Sequence, residues 1–270
     1  YITNTSLAFS GPMTSISNES ELIAWGSTGT VGTLTQDITL TTNTGFPISL
    51  ANNSVLNGNG FTMTLMSENA SGLFSFGSDN LTVTIENLLI DADAINRVSF
   101  GSGLLFSETH DRPGTYLTIG NCGVFGTFWL DWYGGTFVGR TQTNAVYNIH
   151  IYGCYSTVQV DNSGGGIIGY AAGYGDGSIL IENCYTTGTI SDSCGGIAGS
   201  YFGMHNTSSA VIRNCYTTGN VTGINAGGIL GTNAGNSATN PYIIENCYSS
   251  GTLGDFTGGI CGQAGTANGN

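Results

Sequence analysis

The residues of this sequence that are best suited to chemistry are its seven cysteines. Five of them form a series with intervals of 32, 30, 31 and 32 residues: Cys122, Cys154, Cys184, Cys215 and Cys247. A thiol can form a disulfide or bind zinc, and the geometry around it decides which. The odd total, with Cys194 and Cys261 outside the series, argues against a complete set of disulfides.

A second landmark repeats with the same period as the cysteines. The last residue of a Gly-Gly-x-x-Gly type closure recurs at intervals of 30, 30, 32 and 31, at Gly139, Gly169, Gly199, Gly231 and Gly262. Short apolar stretches, glycine-rich corners and the absence of a helical pattern at this period predict a β-solenoid of about 31 residues per coil. Equivalent positions on neighbouring coils then lie about 4.8 Å apart.

Apolar columns appear when the repeats are aligned on the cysteine. Three residues before it stand Ile119, Ile151, Ile181, Ile212 and Ile244, and six residues after it stand Phe128, Val160, Ile190, Val221 and Leu253. The isoleucine positions alternate with variable ones, which predicts a strand with one buried face.

This geometry limits what the cysteine column can do. Thiols about 4.8 Å apart with parallel Cα–Cβ vectors do not meet the requirement of a disulfide for Cβ atoms that approach and turn toward each other. Zinc needs four ligands that converge on one point. We therefore predict buried free thiols that pack as small apolar groups, and we expect no bound cofactor.

The column before each cysteine reads Asn121, Gly153, Asn183, Asn214 and Asn246. Stacked asparagines can form an amide ladder, and asparagine tolerates the left-handed backbone of a corner. One position earlier, Glu182, Arg213 and Glu245 alternate in charge, which favours the same register of the coils.

The first third of the chain differs from the repeats. Residues 17 to 25 predict a short helix with Asn18 and Glu21 as a capping pair, and we assign residues 1–40 to an N-terminal cap of the solenoid. Residues 41–270 are assigned to the β-helix, with Leu88 of "IENLLI" in the cysteine slot. Residues 97–150 are expected to form an irregular coil, with "HDRPGT" and "WLDWYGG" as loops that leave it. The whole is expected to be a single structural domain.

Composition excludes several classes of partner. The 270 residues include no Lys and four Arg, and the net charge is −13. Binding to nucleic acid or to an anionic membrane surface requires basic residues, so neither is expected. No apolar run reaches the roughly 18 residues of a membrane-spanning helix, so membrane insertion is not expected.

The closing motif resembles that of the GLUG-motif repeats. It stands here as "GGIIG" (165–169), "GGIAG" (195–199), "GGILG" (227–231) and "GGICG" (258–262), with looser matches at 103–107 and 135–139. The resemblance implies a right-handed parallel β-helix on extracellular, often adhesive, bacterial proteins, and similar Asn-Cys-Tyr repeats occur in surface proteins of large DNA viruses. It implies an extracellular, cell-surface or virion-surface location and carries over no catalytic residues.

Exposed aromatic residues are the candidates for contact with a ligand or another subunit. A tyrosine follows four of the cysteines, at Tyr155, Tyr185, Tyr216 and Tyr248, and should point outward. Such a column could bind sugars, but packing along the sheet is the interpretation we favour. Trp129 and Trp132, in the irregular coil, are candidates for a carbohydrate or protein contact.

Catalysis and metal binding have weaker support. The acidic residues of the irregular region, Asp91, Asp93, Asp111 and Asp131, show no spacing that pairs two of them for glycoside chemistry. Asp161, Asp192 and Asp255 precede the closing glycines, where calcium binding is one interpretation and turn formation the preferred one.

The sequence therefore favours an extracellular structural or adhesive module that is a subunit of a surface fibre or filament and is not an enzyme. Its subunits are expected to stack head to tail, with a glycan or a surface protein as a further partner. The alternatives are a polysaccharide lyase or hydrolase and a glycan-binding adhesin on the same fold.

Overall fold

The structure is a computed structural model that describes residues 12–41, 45–66, 72–95, 97–98, 101–107, 113–130, 132–141, 147–205, 208–238, 240 and 242–263. These residues form one short helix, α1 (Glu19–Gly26), and short strands throughout the rest of the chain. The strands in chain order are β1 (Met13–Ile16), β2 (Val31–Leu34), β3 (Ile38–Leu40), β4 (Ile48–Leu50), β5 (Ser54–Asn57), β6 (Thr62–Leu65), β7 (Phe74–Phe76), β8 (Thr82–Glu86), β9 (Leu89–Asp91), β10 (Arg97–Val98), β11 (Thr115–Gly120), β12 (Gly123–Phe125), β13 (Trp129–Leu130), β14 (Tyr147–Tyr152), β15 (Tyr155–Ser156), β16 (Gln159–Val160), β17 (Ser178–Glu182), β18 (Tyr185–Thr186), β19 (Ala210–Arg213), β20 (Tyr216–Thr217), β21 (Tyr242–Glu245) and β22 (Tyr248–Ser249).

The strands stack into parallel ladders that run along the molecule. The nine-stranded sheet has the order β1-β2-β5-β8-β11-β14-β17-β19-β21, and the eight-stranded sheet has the order β3-β6-β9-β12-β15-β18-β20-β22. A three-stranded sheet, β10-β13-β16, and a two-stranded sheet, β4-β7, complete the walls of the described residues. The predicted β-solenoid is confirmed, with about 30 residues per turn.

The alternation of side chains explains why these segments form strands. In β14 the side chains of Tyr147, Ile149 and Ile151 are buried, whereas those of Asn148 and His150 lie on the partly exposed outer face. Each fully buried aliphatic side chain contributes about 1.5–3 kcal/mol through the hydrophobic effect. A shift of the strand by one residue would turn this apolar set outward, so burial sets the register.

The register agrees with the columns that the sequence predicts, with one correction. Ile119 pairs with Ile151, which pairs with Ile181, and the series continues through Ile212 to Ile244. In the other column, however, Val160 pairs with Leu130 and not with the predicted Phe128. The coil that follows Cys122 has two more residues before this strand than the coil that follows Cys154, so counting from the cysteine selects the wrong residue. Phe128 is nevertheless buried in the core.

The asparagine corner has the backbone that its residue type favours. Asn121, Asn183, Asn214 and Asn246 all have positive φ between 50° and 55°, and Gly153 takes the same place with φ 61°. The amide nitrogen of Asn246 donates to the side-chain oxygen of Asn214 over 3.2 Å. An asparagine corner thus stacks along the solenoid, as predicted.

The first residue of each closing motif must be glycine because two backbones approach each other closely there. Gly135, Gly165, Gly195, Gly227 and Gly258 lie in register on successive coils. A Cβ atom on Gly195 would lie 2.0 Å from the carbonyl oxygen of Ala198 and 2.4 Å from the nitrogen of Gly231. A side chain cannot fit at either distance, so the closure repeats because the backbone turns tightly against the next coil.

Helix α1 lies at the N-terminal end of the solenoid. Asn18 is its N-cap and accepts a hydrogen bond from the backbone of Glu21 over 3.0 Å, as predicted. Leu22 and Trp25 are buried, and the helix contacts β1, β3 and β4. The predicted cap, residues 1–40, therefore also contains β1, β2 and β3, which belong to the long sheets; its residues 1–11 lie outside the described part.

In the region predicted as an irregular coil, residues 97–150, the described strands continue the ladders. Trp129 and Leu130 form β13, which pairs with β10 and β16, so this part of "WLDWYGG" is a strand and not a loop that leaves the coil. Of "HDRPGT", residues 110–112 lie outside the described residues, and Thr115 begins β11.

Candidate functional site

The tyrosines that follow the cysteines form a continuous stack of rings. The ring centroids of Tyr155 and Tyr185 are 5.3 Å apart, those of Tyr185 and Tyr216 5.0 Å, and those of Tyr216 and Tyr248 5.1 Å. The ring planes differ by 3° to 9°. Burial raises the pKa of Tyr155 and of Tyr185.

This stacking limits the tyrosines as a sugar-binding surface. Sugar binding by an aromatic residue uses a ring face, and the faces between Tyr155 and Tyr248 are turned toward one another. The Tyr155 ring covers Gly123. A Cβ atom on residue 123 would lie 2.3 Å from the ring, so the ring fits only because this residue is glycine. The outer face of Tyr248 belongs to the last described coil, and its side chain is 54% exposed. The stack therefore supports the packing interpretation.

The five cysteines of the series lie in one column of free thiols. The backbone nitrogen of Cys122 donates to Sγ of Cys154 over 3.4 Å, and Sγ of Cys154 lies 3.3 Å from the carbonyl oxygen of Tyr152. Burial raises the pKa of Cys154 and of Cys194, which keeps both as neutral thiols. Cys247 and Cys261 are only half-buried, because they belong to the last coil.

An ion cluster lies on the outer face of the nine-stranded sheet. Nε2 of His150 donates to Oε1 of Glu182 over 2.8 Å, and Nε of Arg213 donates to Oε2 over 2.9 Å. Desolvation acts to raise the pKa of Glu182, but the hydrogen bonds from His150 and Arg213 outweigh it and the pKa is lowered. The predicted charge column is confirmed by the register of Glu182, Arg213 and Glu245.

A second outward contact connects three coils on the same face. The hydroxyl of Tyr152 donates to the carboxylate of Glu86, and the Tyr152 ring occupies the space above Gly120. Burial and the Glu86 carboxylate both raise the pKa of Tyr152. Glycine at position 120 is therefore explained by the ring that covers it.

A shallow groove lies beside these contacts, with a volume of about 270 Å³. Its lining side chains come from successive coils, and the outward ones that line it are Tyr116, Thr118, Asn148, His150, Ser178, Leu180 and Ser209. None of these is among the candidates that the inward columns suggested. The signal was in the sequence as a column six residues before each cysteine, which passes from Tyr116 through Asn148 to Ser178 and Ser209.

The two predicted tryptophans are exposed. Trp129 lies on the three-stranded sheet, and Trp132 lies on the turn that follows β13. The ring of Trp132 meets that of Tyr133 edge-on at 6.3 Å, and Tyr133 lies 4.4 Å from Tyr170. Burial, with the neighbouring tyrosines, raises the pKa of Tyr170 to about 12. Sequence reasoning missed this aromatic corner, because its rings come from different columns of the repeat.

Two of the candidate acidic residues hold backbone N–H groups, Asp91 within its own turn and Asp192 on the next coil. Asp91 accepts a hydrogen bond from the backbone of Asp93, and Asp192 accepts one from the backbone of Ile224. Asp111 and Asp131 lie outside the described residues. Within the described ranges, no group of three or more His, Cys, Asp or Glu residues is arranged to hold a metal ion.

Comparisons of the chain with protein families, with curated proteins and with solved structures found no match. Among the helices of the described residues, none has the length and hydropathy that crossing a bilayer would require.

Proposed function

We propose that this chain is a structural module of an extracellular surface fibre, in which the coils form a stiff rod and the C-terminal coil is the joint to the next subunit. One observation carries the proposal. The last described coil presents the same inward columns as the coils before it, yet no described residue covers them.

The contrast between successive coils is large along a single column. Val221 is 0% exposed, whereas Leu253, its partner on the last coil, is 53% exposed. Within the described residues, β21 and β22 are also the last strands of their sheets. The surface formed by Leu253, β21 and β22 is therefore the kind of surface on which each coil receives the next one inside the molecule.

The opposite end of the rod is different. Helix α1 contacts β1, β3 and β4, and β1 is the first strand of the nine-stranded sheet and pairs only with β2 among the described strands. A head-to-tail joint would place β21 of one copy beside β1 of the next and continue this sheet. Such a contact is heterologous and does not close, so it would produce a fibre.

Two further observations support the proposal. The closing glycine motif resembles that of secreted and surface repeat proteins, which favours a role outside the cell. The module also carries 17 acidic residues and no lysine. A high net negative charge keeps rods apart sideways and leaves their ends as the preferred contacts. Antibody labelling of intact cells or virions of the source would test the location, and signal only after permeabilisation would contradict it.

Sedimentation over a range of concentrations, with electron microscopy, tests the joint. The wild-type chain should form end-to-end species of increasing length as concentration rises. Leu253→Asp should shift the population to monomers, because it places a charge in the centre of the joint. Ile224→Asp is the matched control, since Ile224 is equally exposed but lies on a corner of the preceding coil. A wild-type chain that stays monomeric throughout would overturn the proposal.

The enzyme alternative lacks a comparable observation. Glu86 and Glu182 both lie on the outer face of the nine-stranded sheet, but three coils separate them, a distance of about 14 Å at the coil spacing. This exceeds the separation of roughly 5 to 10 Å at which two carboxylates cooperate in glycoside hydrolysis.

A further inference from the structure

We propose that the groove on the outer face of the nine-stranded sheet is a binding site for a short neutral oligosaccharide. This would give the module an adhesive capacity of its own. The groove lies on the side of the rod, so the site does not depend on the joint at the C-terminal end.

The groove exists because one outward column becomes smaller from coil to coil. Tyr116 pairs with Asn148, and Asn148 pairs with Ser178. From Tyr116 to Ser209 the column spans four coils, about 14 Å at the coil spacing. A large ring thus stands at one end of an extended trough whose floor is formed by strands β11, β14 and β17.

The polar side chains of the groove are available to a ligand. Within the described part of the chain, the side chains of Thr118, Asn148 and Ser178 make no hydrogen bond. A serine or threonine hydroxyl and an asparagine amide each both donate and accept. A row of such groups on successive coils matches a row of sugar hydroxyls, which also both donate and accept.

Tyr116 supplies the apolar contact that a sugar ring requires. Its side chain is 56% exposed, which leaves its ring accessible from the groove. Tyrosine offers a flat apolar face with a polar tip, and few rotamers are lost when a ligand covers it. The site thus combines one aromatic ring with several neutral polar groups, a common composition of small-molecule sites.

The charges around the groove favour a neutral ligand. His150 lines the groove, but its ring is held by Glu182, which also accepts hydrogen bonds from Arg213. The carboxylate offsets the nearby positive charge, and the chain as a whole carries a net charge of −13. An acidic polysaccharide would be repelled by this field.

A peptide fits this site less well than a glycan does. Extended peptides bind sheets by adding a strand at an edge, where backbone groups are unpaired. The groove lies on the sheet face between β11 and β17, where each strand already pairs with two neighbours. Recognition here must come from side chains, and those that line the groove are hydroxyls, an amide, a phenol ring, the imidazole of His150 and the apolar side chain of Leu180.

Titration with defined trisaccharides tests the site on the full chain. The probes are maltotriose, cellotriose, mannotriose and N-acetylchitotriose, with trigalacturonate as the acidic comparison, followed by calorimetry and by NMR shifts of the sugar protons. We expect at least one neutral probe to bind and trigalacturonate not to bind. Tyr116→Ala should weaken that binding about tenfold, and Ser178→Trp, which fills the groove, should abolish it.

Two controls separate this site from other surfaces and from the joint. Ile243→Ala removes an exposed apolar side chain from the same sheet face beyond the groove and should leave the affinity unchanged. Leu253→Asp should bind the sugar as the wild type does, even where it prevents end-to-end association. The inference is overturned if none of the neutral probes binds at millimolar concentration, if trigalacturonate binds more tightly, or if Tyr116→Ala and Ser178→Trp retain wild-type affinity.

Discussion

A thiol inside this solenoid is surrounded by backbone carbonyls and by the next thiol of the column. Sγ of Cys184 lies 3.2 Å from the carbonyl oxygen of Glu182 and 3.7 Å from that of Ile151 on the preceding coil. Burial excludes both solvent and reagents, and the thiolate is the reactive form of cysteine. The residue therefore packs as a small apolar group that also donates a weak hydrogen bond.

Titration with a thiol reagent gives the first prediction. All seven cysteines should react after denaturation in the absence of reductant, because all are free thiols. In the native protein we expect fast reaction at the half-buried Cys247 and Cys261 and slow reaction at the five buried cysteines. Recovery of fewer than seven thiols under denaturing conditions would show that disulfides form.

The second prediction concerns Glu182 and pH. Since its pKa is lowered in the folded state, its stabilising effect is fully present above its ordinary value of 4.5. That effect is lost as the pH falls through the lowered folded pKa. Glu182→Gln should therefore reduce the free energy of unfolding by about 1 kcal/mol at pH 7 and by progressively less as the pH is lowered below 4.5.

Glu245→Gln is the matched control for Glu182→Gln. Glu245 lies in the same outward column on the last coil, but it is exposed and has no ion-pair partner among the described residues. Denaturant unfolding over the same pH range should show little change for this variant. An equal loss of stability in both variants at pH 7 would contradict a specific role for the His150–Glu182–Arg213 cluster.

At the scale of the strand and the corner, the asparagine column gives the third prediction. Asn214 has φ 54°, a left-handed conformation that costs most residues about 1–2 kcal/mol. Asn214→Ala should destabilise the protein by about that amount, whereas Asn214→Gly should cost less because glycine adopts this backbone freely. Chemical denaturation of the two variants measures the difference. Equal stability would mean that the amide ladder, and not the backbone, selects asparagine.

The same scale shows what could be predicted from the sequence. The inward columns were predictable, because burial repeats one residue type at one place in every coil, as at Ile151 and Ile181. The column that contains Leu130 was misassigned, because a two-residue insertion does not disturb the ladder but does disturb a count from Cys122. The groove was missed for a different reason: outward residues such as Tyr116 and Ser178 are not constrained to repeat, so alignment treats them as variation.

At the scale of the whole molecule, the first and the last described coils differ in what covers them. The first described coils carry α1, whose side chains Leu22 and Trp25 are buried, whereas the last described coil exposes Leu253 and Phe256. A repeat that stacks on its neighbours gains most of its stability from those contacts. Among the described residues, the last coil has a neighbouring coil on one side alone, and under the proposed function a second subunit supplies the other.

The glycine column that contains Gly196 and Gly259 allows the difference between an inner coil and the last described coil to be measured. A Cβ atom on Gly196 would lie 2.1 Å from the carbonyl oxygen of Gly228 on the next coil, whereas on Gly259 the nearest atom is Cδ1 of Leu253 at 3.9 Å. Gly196→Ala should thus destabilise the chain by about 1–3 kcal/mol through overpacking. Gly259→Ala should leave the unfolding midpoint nearly unchanged, because the described residues leave room for its methyl group.

A larger side chain at the same place tests the joint. Gly259→Phe should fold like the wild type, because the described residues leave open space there, but it should prevent end-to-end association by holding the next subunit away from Leu253. Sedimentation measures the association and denaturation measures the fold. If Gly259→Phe chains still assemble at wild-type concentrations, the contact between subunits lies elsewhere on the rod, and the C-terminal coil has lost its role as the joint.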